Sequence, residues 1–118
     1  MKTRIVFAKL LLLGAVAFAS VMLLQGVVWA GGNPHVHEAI SHAEEAVDHG
    51  NQGHADALVK HAKAALGHAH AAQKEVHNPH LDAGVAELEA AIDHGGQGHA
   101  GVATKHAKSA VMHLKEVH

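Results

Sequence analysis

The stretch Asp48-His49-Gly50-Asn51-Gln52-Gly53-His54 constrains the chain more than any other, because it is a glycine-bounded turn with one histidine on each side. It recurs as Asp93-His94-Gly95-Gly96-Gln97-Gly98-His99, so two hairpins are implied. From His49 the histidines run backward at 42 and 35, and from His54 forward at 61 and 68, always seven residues apart.

The turns are the centres of a longer duplication. A shift of 45 residues aligns Asn33-Pro34-His35 with Asn78-Pro79-His80, and of the 41 pairs down to Gln73 opposite His118, 18 are identical. Each unit opens on Asn-Pro, which suits a helix N-cap followed by proline at the first helical position. The helix then breaks at Gly50 or Gly95, as glycine favours at a C-terminus. Four helices are predicted, near 34–49, 54–76, 79–94 and 99–116. Val36, Ala39, Ile40, Ala43, Ala46 and Val47, like Leu81, Val85, Leu88, Ala91 and Ile92, recur at three and four residues, which is a helix stripe and not the alternation of a strand. With each histidine of the sevenfold series at heptad position g, the a, d and e positions are small or apolar. The expected fold is all-α, an antiparallel up-down-up-down four-helix bundle made of two duplicated hairpins.

Residues 1–30 differ in kind. All three aromatic residues, Phe7, Phe18 and Trp29, lie there, whereas all fifteen histidines and all eleven carboxylates lie after them. A basic start, an apolar run from Ile5 to Leu24 and the small-residue site Val28-Trp29-Ala30 read as an export signal cleaved after Ala30. An uncleaved membrane anchor is the alternative, since roughly 20 apolar residues span a bilayer. The remaining 31–118 form one small domain, secreted or periplasmic, with no membrane insertion once the signal is gone. Its six lysines against eleven carboxylates leave a formal charge of −5 with histidine neutral, which disfavours nucleic acid as a partner. It has no cysteine, so neither disulfides nor thiolate metal sites are available. Without an aromatic residue its core is built from Ala, Val, Leu and Ile, and a core that thin calls for help from a metal or a partner.

The histidine spacing reads as metal chemistry. Seven residues along a helix is about 10.5 Å, too far for two such rings to hold one ion whose nitrogen ligands sit about 2 Å away. Across an antiparallel hairpin, however, facing residues have numbers with a constant sum. His49 and His54, His42 and His61, and His35 and His68 share one sum, while His94 and His99, Glu87 and His106, and His80 and His113 share another. Six rungs are predicted, one of them with Glu87 in place of a histidine. Glu38 and Glu45, four residues before His42 and His49, lie on the same face and supply carboxylate ligands. The candidate metal ligands are thus His35, His42, His49, His54, His61, His68, His80, His94, His99, His106, His113, Glu38, Glu45 and Glu87. Imidazole-rich sites without thiolate suit Cu(II), Ni(II) and Zn(II), with Cu(II) highest in affinity. Met112 is the only methionine of residues 31–118, which argues against a thioether cage for Cu(I). His37, His70, His77 and His118 fall off the heptad and collect at one end of the bundle as secondary positions.

Three other readings compete with copper buffering or storage: a broad zinc or nickel sequestering protein, a pH-responsive structural or interaction protein, and a metal-dependent oxidoreductase. Enzyme motifs are missing. His37-Glu38-Ala39-Ile40-Ser41 has serine where HExxH needs histidine, and no Glu-x-x-His pair of the di-iron bundles occurs. Binding without catalysis is the expectation. Lys60, Lys63, Lys105, Lys108, Glu44, Asp56 and Glu89 read as solvated helix surface.

The segments HxxEAxxHAEEAVxHGxxGH, from His35 to His54, and GHxGVATKHAKxAxxHL, from Gly98 to Leu114, resemble the small metal-binding protein family of the periplasm of nitrifying bacteria. The likeness covers nearly all of residues 31–118. It implies a monomeric four-helix bundle that binds several divalent metals, copper foremost, and buffers or scavenges copper in the periplasm, with the g-position histidines as ligands. Glu87 stands where the family's third helix tends to have histidine.

Overall fold

A computed structural model describes residues 32–118, so residues 1–30, read above as an export signal, lie outside the described residues. The chain forms α1 (Pro34–Asn51), α2 (Ala55–Gln73), α3 (Pro79–Gly96) and α4 (Ala100–Lys115). There is no strand among the described residues. Each helix packs along two neighbours in the cyclic order α1, α2, α3, α4, and α2 also touches α4 across the diagonal. This is the up-down-up-down bundle. The α1/α2 and α3/α4 seams therefore lie on opposite sides of it.

The two helices that begin each hairpin start as Asn-Pro requires. The Asn33 side chain accepts from the His35 amide at 2.8 Å, the Asn78 side chain accepts from the His80 amide at 2.8 Å, and Pro34 and Pro79 occupy positions where no amide is needed. Asn33 in turn donates to Glu75 beyond α2, and Gln73 donates to Asp82 at 2.8 Å, so the open end of the bundle is tied across helices.

The stop signals differ from the expected ones. Both hairpin helices run through Gly50 and Gly95 and end one residue later, at Asn51 and Gly96. The left-handed residues are Gly53 at φ +77° and Gly98 at φ +81°. Each closes a Schellman turn: the His54 amide donates to the His49 carbonyl at 2.9 Å and the Gly53 amide to the Gly50 carbonyl at 3.0 Å. The second turn repeats both bonds, from His99 to His94 at 2.9 Å and from Gly98 to Gly95 at 3.0 Å.

Gly50 and Gly95 have another task. They sit at buried positions of the heptad. A Cβ on Gly50 would lie 2.0 Å from Thr104 Oγ1 and 2.6 Å from Leu58 Cδ1, and one on Gly95 would lie 2.6 Å from Val59 Cγ2. They let neighbouring helices come close where a side chain would hold them apart. Alanine does the same along the rest of the seams: Ala39, Ala43, Ala46, Ala62, Ala65, Ala69, Ala72, Ala91, Ala103, Ala107 and Ala110 are all fully buried. Leu58, Leu81, Leu88 and Leu114 are the large side chains that fill what space remains. Ile40, Val47, Val59, Leu66, Ile92 and Val111, at the e positions, cover the core from the side. Thr104, also at e, is buried, and its hydroxyl donates to the Ala100 carbonyl of its own helix. On the surface, Lys115 pairs with Glu44 at 2.7 Å between α4 and α1.

Two glycine substitutions separate these effects. Gly50→Ala should lower stability by about 1–3 kcal/mol through overpacking. Gly67→Ala, in the exposed middle of α2 where an added Cβ meets nothing within 4 Å, should raise it by about 0.5–1 kcal/mol. Thermal melts of the metal-free protein measure both.

Candidate metal centre

The Schellman bond between His54 and His49 places the two turn histidines side by side, and from there both helices carry one imidazole per seven residues away from the turn. In the α1/α2 seam the ring centroids of His49 and His54 are 6.2 Å apart, those of His42 and His61 6.1 Å, and those of His35 and His68 5.7 Å. The Nδ1 atoms of His35 and His68 approach to 3.4 Å. In the α3/α4 seam His94 and His99 are 6.2 Å apart and His80 and His113 5.9 Å. His106 Nδ1 donates to the Glu87 carboxylate at 2.7 Å. All six facing pairs of the constant-sum register are therefore in contact, on two opposite sides of the bundle.

The rings also touch along the diagonals, which residue counting does not reveal. His42 stacks on His68 at 5.6 Å with planes 10° apart, His49 on His61 at 5.0 Å and 12°, and His94 on His106 at 5.3 Å and 6°. The cause is the tilt of helical side chains toward the N-terminus of their own helix. On antiparallel helices the two rows lean in opposite directions, so each ring closes on the partner one step along. The α1/α2 seam thus holds a continuous zigzag of six imidazoles, in the order 35, 68, 42, 61, 49, 54. Most of these rings are half-buried, with only His54 exposed. The Nδ1 atoms of His42, His49 and His94 are buried without a hydrogen-bond partner.

Two sets of three groups bring their donor atoms within 4.8 Å of one another: Glu38, His42 and His68, and His42, Glu45 and His61. Both lie in the α1/α2 seam. Three donors of imidazole and carboxylate type, half-exposed at a groove, suit a first-row divalent ion that keeps water in its remaining positions. Glu38 joins His42 as its spacing suggests. Glu45 does not join His49. Its two oxygens lie 3.5 Å from His42 Nδ1 and 3.3 Å from His61 Nδ1, because the side chain leans back over the turn that carries His42.

No such set of three occurs in the α3/α4 seam among the described residues. The repeat explains why: 45 residues beyond Glu38 and Glu45 stand Ala83 and Ala90. That signal is present in the sequence, in the two alanines of the second unit. Glu87, meanwhile, is tied to His106, and a carboxylate that holds the Nδ1 proton directs the ring's lone pair to Nε2. His37, His70, His77 and His118 are exposed and belong to neither of the three-donor sets found among the described residues. His70 instead contacts its own helix through Gln73 at 3.0 Å.

Comparison with known proteins finds one family. The sequence model of a family described as small metal-binding protein matches residues 5–117. No curated protein matches the chain.

Converting the second seam to the pattern of the first should add a site. The double substitution Glu87→His with Ala90→Glu reproduces the His42, Glu45 and His61 arrangement. It should increase the copper(II) retained against a competing chelator by about one ion per chain, whereas Glu87→Ala should add none. Equilibrium dialysis with metal analysis reads the difference.

Proposed function

We propose that this chain, which belongs to the small metal-binding protein family, takes up copper(II) in the periplasm and holds it in exchangeable form, as a buffer or store. The observation that carries the reading is the pair of imidazole and carboxylate sets in the α1/α2 seam, each with three donor atoms within 4.8 Å. Nitrogen and oxygen donors without thiolate favour copper(II) over nickel(II) and zinc(II). Three donors in a half-exposed groove leave open positions, which suits release as much as capture, whereas closed four-ligand cages serve structure. Repetition of imidazoles along both seams supports storage of several ions. The basic start, apolar run and small-residue site of residues 1–30 support export, and no helix among the described residues is long and apolar enough to cross a membrane. Binding rather than catalysis is the role, and the chain works as a monomer.

Titration in competition among copper(II), nickel(II) and zinc(II) tests the reading. Copper(II) should win, and a zinc preference would replace copper buffering with broad sequestration. Copper(II) at a hundredfold excess over its dissociation constant should stabilise the fold by about 2.7 kcal/mol, a rise in Tm of roughly 10–20 °C for a domain of this size. Affinity should fall between pH 8 and pH 5, since a protonated imidazole has no lone pair to give. An unchanged Tm in saturating copper(II), with unfolding by acid alone, would point to a pH-responsive structural protein instead.

A further inference from the structure

The two three-donor sets are not separate. His42 belongs to both. Its ring lies between His68, 5.6 Å away and nearly parallel, and His61, 6.1 Å away. Glu38 flanks it on one side and Glu45 on the other, the latter with Oε1 3.5 Å from His42 Nδ1. Nδ1 itself is buried with no hydrogen-bond partner.

A neutral imidazole has a single free lone pair, because its other nitrogen carries the proton. Two ions can share such a ring only if it loses that proton as well. Two divalent ions on one ring would also face each other across a few ångströms of half-dry groove, where the repulsion between doubly charged ions is four times that between unit charges at the same separation. Simultaneous occupancy is therefore disfavoured on two independent counts.

We infer that the two sets are alternative seats for one ion, with His42 as the ligand common to both. The ion exchanges Glu38 and His68 for Glu45 and His61 while remaining on His42, and so moves along the seam without entering bulk water. Each step forms one imidazole and one carboxylate bond and breaks one of each, so neither charge nor ligand number changes. This rests on the metal-binding reading above and adds the occupancy rule and the path. It also makes the two carboxylates redundant with each other, which is the measurable consequence.

The test is equilibrium dialysis of the full chain with copper(II) against a competing chelator, counting ions retained, with the metal-free fold of each variant checked by circular dichroism. Glu38→Gln and Glu45→Gln should each leave the number of retained ions unchanged and weaken binding at this position about twofold, the statistical effect of losing one of two equal seats. The double variant should lose one ion, and His42→Asn should lose one ion. Loss of an ion on either single carboxylate substitution overturns the inference, and so does loss of two ions on His42→Asn, the sign of a bridged pair. Full retention by the double variant overturns it as well. If the unsubstituted protein retains no copper(II), it is the metal-binding reading that fails.

Discussion

Register between paired helices is the constraint on which the structure depends. Seven residues of helix separate neighbouring imidazoles of one row by about 10.5 Å, so a row by itself offers an ion only one donor at a time. Two rows become a ladder only when the hairpin holds them in step. The backbone bond from the His54 amide to the His49 carbonyl does this at one turn, and the bond from His99 to His94 does it at the other. The histidines nearest the turn are thus placed by main-chain geometry. Every later rung inherits its position by counting outward.

Counting alone would fail if the helices stood far apart. The alanine-lined seams, relieved further at Gly50 and Gly95, bring the rods close enough for rings to meet at 5.0–6.2 Å. The cost is a core with only four fully buried large side chains and no disulfide. Small side chains lose little conformational freedom on burial but also remove little apolar area from water. Close approach of the rods and a lightly filled interior go together, and an ion held across two rods would restore part of what the core lacks.

The hairpins, helix identities and facing pairs could all be read from the chain, because antiparallel register is arithmetic on residue numbers and the Asn-Pro starts announce themselves. The helix ends fall one to three residues from the expected positions. Glycines stand at both 50 and 53 in the turn, and only packing against Thr104 and Leu58 shows that the first belongs to the core while φ marks the second as the turn. The diagonal stacks escaped because a register drawn on Cα positions ignores the lean of Cβ. Glu45 was named from the sequence but with His49 as its partner, for the same reason: heptad geometry puts it equally near His42 and His49, and the direction of lean decides. The contrast between the seams was legible at Ala83 and Ala90, had the repeat been read for its differences.

The placement of the two seams on opposite flanks of the bundle has an electrical consequence. Each bound divalent ion brings two positive charges to a domain whose carboxylates outnumber its lysines by five. Were both rows in one groove, every new arrival would be repelled by those already seated. With about two helix diameters between them, roughly 20 Å, the rows stand further apart than the screening length of about 8 Å in physiological salt. A charge held on one flank is therefore felt only weakly on the other.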